Sequence, residues 1–220
     1  MTTINQLMLI SSFSALFFLV STLLSERNTK DSSGTQMLGI QNLRHVAGMV
    51  LFGTPFIRLL EASFPAYPVS SGSYLSHCVF SGVAVLSVWI AYKSADLKKR
   101  EWRAAYNDIT GSQVAIYISL RIPFLILYEC FFRGTLLAIS IPLLGIHWAI
   151  AINIILYVLF HYSSSIQEMV ACIPFGLVLC LLTIWWQSVF PAILLHLILS
   201  LVHESILFKP WIVSTKTPTS

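Results

Sequence analysis

The chain has 220 residues, 56% of them hydrophobic and only 10% charged, with a formal net charge of +4. A soluble domain averages about 25% charged residues. The apolar residues here come in long blocks, so the composition reads as an all-α, polytopic membrane protein, with room for about seven spans of roughly 20 residues each. It leaves no space for a sizeable extramembrane domain, and the small positive excess, confined to loops, points to membrane orientation and not to nucleic acid.

Met1 to Asn5 carries no Lys or Arg, so the first apolar block, about 6–24, is expected as a retained span and not a cleaved signal. A polar segment follows from Glu26 to Arg44, loop-like at first and in its second half suited to a short amphipathic helix. The second span, about 45–61, contains Gly48, Gly53 and Pro55 and ends with Arg58 and Glu61, which are i,i+3 neighbours expected to pair. Residues 62–73 read as a turn-rich loop with Pro65, Pro68 and Gly72.

The third span, about 74–92, leads into the most basic stretch, Lys93, Lys98, Lys99, Arg100 and Arg103, expected as a cytoplasmic loop. The fourth span, about 114–139, carries Arg121 and Pro123 near its start, so a kink is expected there. Pro142, Gly145 and His147 mark a turn. The fifth span, about 148–162, ends in Phe160-His161, and Ser163 to Glu168 form a short polar patch. The sixth, about 169–186, closes on Trp185 and Trp186 as an interfacial anchor, and the seventh, about 190–208, precedes a polar tail. His203 and Glu204, near the end of that last span, are expected at the interface.

The loop Lys and Arg residues cluster in 26–44, 93–113 and 209–220. With seven spans these segments share one side, which makes it the cytoplasm and places the C-terminus inside. Three parts follow: N-terminal spans over 1–113, a helix bundle over 114–208, and the tail 209–220. Cys78, Cys130, Cys172 and Cys180 all fall in apolar runs without metal-ligand spacing, so they read as packing residues.

Glu129 and Arg133 stand four residues apart in an otherwise apolar run and share a helix face. In hydrocarbon each charge alone costs roughly 2.5–3.5 kcal/mol by insertion scales, so such residues mark function by default. His196 and Ser200 are also i,i+4, and His161 lies two helices earlier. A carboxylate, two imidazoles and a hydroxyl converging between three helices would form a hydrolytic site. Glu129 would be its general base, and His161 and His196 would ligate a divalent metal such as zinc or hold the water and the oxyanion.

These residues carry a resemblance. Tyr128-Glu129-Cys130-Phe131-Phe132-Arg133-Gly134, then Tyr157-Val158-Leu159-Phe160-His161, then Pro191 to His196 and on to Ser200, stand in the order of the three motifs of the CAAX prenyl endopeptidase and bacteriocin-processing family of intramembrane proteases, also called CPBP or Abi proteins. The resemblance covers roughly 114–205. It implies an endopeptidase acting on a prenylated or membrane-embedded peptide in the bilayer, in a prokaryotic plasma membrane, with Glu129, Arg133, His161, His196 and Ser200 as site residues.

Two positions depart from the family. Its water-activating Glu is Tyr128 here, and its oxyanion-binding Asn is Ser200. A phenol with a pKa of about 10 is a poor base at neutral pH, and Glu129 lies about 100° further round the helix. Either Glu129 acts in a rearranged site, or the chain is a non-catalytic member of the fold serving as a membrane immunity or scaffold protein. A small transporter is a third reading, disfavoured by the lack of internal repeats. With simple alternation of spans, His161 and His196 are expected to differ in depth by roughly 10 Å or more.

Overall fold

The computed structural model describes residues 16–17, 33–61, 74–162 and 165–214. The expected first span (6–24, apart from 16–17), the 62–73 loop, the Arg58–Glu61 pairing, Ser163-Ser164 and the tail from 215 lie outside what is described. All regular structure in the described residues is helical: α1 (Gly34–Glu61), α2 (Tyr74–Ala105), α3 (Gly111–Glu129), a wide π-turn (Cys130–Leu136), α4 (Leu137–Leu144), α5 (Ile146–Phe160), α6 (Ile166–Trp186), α7 (Phe190–Leu207) and α8 (Lys209–Ser214).

Four segments are long and apolar enough to cross a membrane: α2, the continuous run 111–144, α6 and α7. The fifth apolar helix, α5, has 15 residues, about 22 Å at 1.5 Å per residue, and falls short of a hydrocarbon core of about 30 Å. Helices of this composition exclude a soluble fold, because their exposed faces carry Val85, Leu86, Trp89, Trp148, Ile155 and Phe190, which suit lipid. The chain is an integral membrane protein.

Two boundaries differ from the sequence expectation. The basic stretch after residue 92 is not a loop, because α2 continues to Ala105. Lys, Arg and Glu are good helix formers, Lys99 pairs with Asp96 one turn back, and Lys98 forms a salt bridge with Glu168 of α6. The polar approach to the second span is likewise helical from Gly34 onward. Its first turn docks on the end of α2, where the Thr35 amide donates to Asp108 Oδ2 (3.2 Å) and the Thr35 hydroxyl to the Asp108 carbonyl (3.3 Å).

Helix α3 starts on a reciprocal cap. The Thr110 hydroxyl accepts from the Gln113 amide, and the Gln113 side chain accepts from Thr110 N. It runs uninterrupted through Pro123, and the break in regularity comes instead at the π-turn. There the Leu137 amide reaches the Phe132 carbonyl five residues back. The Asn153 amide of α5 donates to the same carbonyl (2.7 Å), and the Thr135 hydroxyl to that of Cys130 (3.4 Å). Single π-turns inside α-helices occur frequently at functional sites. Gly145, at φ +79, ends α4 and lets the chain reverse into α5.

The core around this turn is aromatic: Phe52 of α1, Phe124 and Tyr128 of α3, Phe131 and Phe132 of the π-turn, and Tyr157 and Phe160 of α5. The functional residues project into this core. All four cysteines are free thiols, and Cys130, Cys172 and Cys180 are buried.

Candidate active site

Helices α3 and α7 run antiparallel, and each contributes residues at i+4 steps, the natural ridge of a packed helix. Tyr117, Arg121, Glu129 and Arg133 come from the α3 side, and His196, Ser200 and Glu204 from α7. Their contacts divide into two polar groups separated by Leu125, which is buried.

The first group is Glu129, Arg133 and His196. Glu129 and Arg133 are both fully buried. Arg133 Nη1 lies 3.2 Å from Glu129 Oε2 and 3.4 Å from Oε1. The guanidinium also stacks over the Tyr157 ring (4.8 Å) and the Phe132 ring (5.6 Å), which favours a desolvated cation. His196 Nδ1 is 2.5 Å from Glu129 Oε1. An ionised carboxylate only accepts, so His196 carries its proton on Nδ1 and presents the Nε2 lone pair.

His161 joins this group through Tyr157. Its ring packs on the Tyr157 ring at 4.7 Å, and His196 stands edge-on to the same ring at 6.1 Å. The two histidines thus share the Tyr157 ring as a common neighbour. The short helix α5 ends at Phe160 and leaves His161 as its cap beside Tyr157. His161 Nδ1–H donates to the Tyr157 carbonyl (2.9 Å), so its Nε2 is the free nitrogen as well. Both imidazoles are held in the manner of oriented metal ligands or bases. Among the described residues, however, no group of three or more His, Cys, Asp or Glu side chains converges to hold a metal ion. A catalytic zinc site uses three protein ligands. His161 and His196 supply two.

Ser200 is in the second group. Its hydroxyl donates to Glu204 Oε1 (3.2 Å) and accepts from Arg121 Nε and Nη2 (both 3.3 Å). Glu204 also accepts from the Tyr117 hydroxyl (3.0 Å) and pairs with Arg121 (3.0 Å). Arg121 Nη1 reaches His45 Nε2 of α1 at 3.2 Å. Glu204 is thus buried in a network, contrary to the interfacial position expected for it.

Of the residues singled out in the sequence, Glu129, Arg133 and His196 meet directly, His161 joins them across Tyr157, and Ser200 sits one turn away in a separate network. Sequence reasoning missed Tyr157, Asn153 and the Tyr117–Arg121–Glu204 group. The signal for the last was present: Glu204 lies four residues from Ser200, and Arg121 four from Tyr117.

Residues 111–202 match the family model described as Type II CAAX prenyl endopeptidase Rce1-like. The matched segment begins with the first residue of α3 and ends within α7, and so contains every residue of the first polar group. No curated protein matches the chain, and no solved structure does.

Proposed function

We propose, from the similarity of residues 111–202 to the Rce1-like family model, that the chain is an intramembrane endopeptidase that hydrolyses a peptide bond of a prenylated or membrane-associated peptide. The observation that carries the reading is the buried Glu129–His196 contact. A carboxylate on Nδ1 fixes the imidazole tautomer and stabilises the imidazolium that forms when Nε2 takes a proton. Glu129 is then the orienting carboxylate and His196 the base. This arrangement answers the absence of a carboxylate at position 128.

In this reaction His196 Nε2 removes a proton from water while the water oxygen bonds to the carbonyl carbon. The same proton then passes to the leaving nitrogen as the C–N bond breaks, giving a carboxylic acid and an amine. Arg133 fixes the Glu129 carboxylate in place through its 3.2 Å contact. His161, whose ring packs on Tyr157, would assist from beside that ring. The surrounding aromatic core excludes other solvent, which strengthens each of these interactions. In this reading the C-terminus is cytoplasmic and the membrane is the plasma membrane of a prokaryote; the Lys and Arg residues at the end of α2 support the orientation through the positive-inside rule.

The test is cleavage of a prenylated peptide by purified protein in detergent micelles, alongside Glu129→Ala and His196→Ala. Expected are turnover by the wild type and loss of it in both variants. A wild type that cleaves no prenylated or membrane peptide, together with variants that keep the cellular phenotype, refutes the reading.

A further inference from the structure

Ser200 stands where the family places its oxyanion donor, but its single proton is already committed. The hydroxyl donates to Glu204, and its lone pairs face two N–H groups of Arg121. An acyl-transfer site needs a free donor aimed at the oxygen that becomes negative, and Ser200 has none to give.

Two turns along α3 from Arg121, the opposite situation holds. Tyr128 is buried, and its hydroxyl has no hydrogen-bond partner. Its ring stands edge to face with His196 at 5.8 Å and stacks on Phe132 at 4.5 Å. Phe52 of α1 and Phe160 of α5 pack against it on further sides. The same short stretch holds two more buried atoms without a hydrogen bond, Arg133 Nε and Nη2, while Glu129 Oε2 is engaged by the Arg133 charge alone. Buried polar groups are normally satisfied, and each exception calls for a reason. A peptide amide complements this set, because its carbonyl oxygen accepts and its N–H donates.

We propose that the Tyr128 hydroxyl is the donor to the carbonyl oxygen of the scissile amide, taking the role that Ser200 cannot fill. The inference rests on the peptidase reading above and adds to it a catalytic residue and the atom it touches. Tyr128 transfers no proton. It donates a hydrogen bond that shortens as the carbonyl oxygen gains charge, while the proton itself travels from water to His196 to the leaving nitrogen.

The experiment compares wild type with Tyr128→Phe, which removes one oxygen. Unfolding midpoint in micelles, kcat and KM on a prenylated peptide, and the pH dependence of kcat/KM are measured. The expected variant is as stable as wild type or more so, since it loses an unpartnered hydroxyl. Its kcat falls by about 100–1,000-fold, the usual effect of deleting one oxyanion donor. KM stays within about threefold and the pH profile keeps its shape, because the His196–Glu129 pair is untouched. If wild type turns over and Tyr128→Phe matches it within about twofold, the inference is overturned and the peptidase reading stands. A variant that loses its fold also overturns it, because the hydroxyl then has a structural partner. A wild type without turnover refutes the peptidase reading itself, and the inference falls with it.

Discussion

Replacing Arg133 with Met keeps most of the side-chain volume over Tyr157 and Phe132 and removes the charge. Glu129 would be left fully buried with His196 as its remaining partner. Breaking a buried ion pair by removing one partner costs about 3–5 kcal/mol. The lost stacking of a desolvated guanidinium on Tyr157 adds to this on the order of 1–2 kcal/mol. Removing both charges, in Glu129→Gln with Arg133→Met, leaves no orphaned ion. The double variant is therefore expected to be more stable than Arg133→Met alone, with a coupling energy of about 0.5–3 kcal/mol. Reversible unfolding of the four proteins in mixed micelles closes the cycle. Loss of less than about 1 kcal/mol in Arg133→Met, with strict additivity in the double variant, would refute the claim that this pair is a buried, compensated charge couple.

Three further outcomes follow from local geometry. A Cβ on Gly176 would lie 3.1 Å from Tyr157 Cδ1, so Gly176→Ala should displace the ring on which Arg133 and both histidines rest. Overpacking of this kind costs about 1–3 kcal/mol, with a matching fall in turnover, whereas Gly82→Ala, which meets nothing within 4 Å, should leave both unchanged. Asn153→Leu removes one hydrogen bond to the Phe132 carbonyl, about 0.5–1.5 kcal/mol. The isosteric Asn153→Asp places an acceptor against that carbonyl and should be the less stable of the two; equal unfolding midpoints would contradict this. At the α1–α2 junction, the Thr35 amide bonded to Asp108 holds that exposed carboxyl below its ordinary value of 3.8. A folded-state value below the unfolded one contributes stability that is complete above 3.8 and is lost as pH falls through the lower folded value. The difference in unfolding midpoint between wild type and Asp108→Asn should therefore be constant near neutrality and vanish in acid; a difference that persists in acid would contradict it.

Much of this arrangement was readable from residue spacing. The ends of α5, α6 and α7 fall within about three residues of their expected positions, because Gly145, Ser165 and Pro191 punctuate apolar runs of clear length. Glu129 and Arg133 share a face because they are i,i+4 on a helix, and His196 was expected beside them. What spacing cannot give is the choice among long-range partners. Ser200 lies one turn from His196 and is turned to the Arg121–Glu204 pair instead, a fact set by where α3 crosses α7. The π-turn was equally hidden, because it depends on Asn153 from another helix and on Cys180, whose thiol donates to Asn153 Oδ1 at 3.4 Å. The extension of α2 past residue 92 was masked by reading charge as loop, although no Gly or Pro interrupts that stretch.

The division of the α3–α7 seam into two groups has its own electrostatic logic. Arg133 lies one turn beyond Glu129, about 6 Å along the helix axis, and Arg121 two turns before it, about 12 Å. Were Arg121 unpaired, its field would act on Glu129 and His196 across low-dielectric Leu125. Glu204, at 3.0 Å, cancels that charge locally, and Tyr117 and Ser200 complete its hydrogen bonds. The seam therefore holds two ion pairs, each neutral by itself, the least costly way to keep four charges in a membrane helix pair. It leaves His196 beside the carboxylate that orients it, with the rings of Tyr128, Tyr157 and Phe175 edge-on to it. Removing Glu204 should thus be felt in the fold: Glu204→Gln leaves Arg121 without its carboxylate partner and is expected to lower the unfolding midpoint in micelles, and an unchanged midpoint would contradict the pairing.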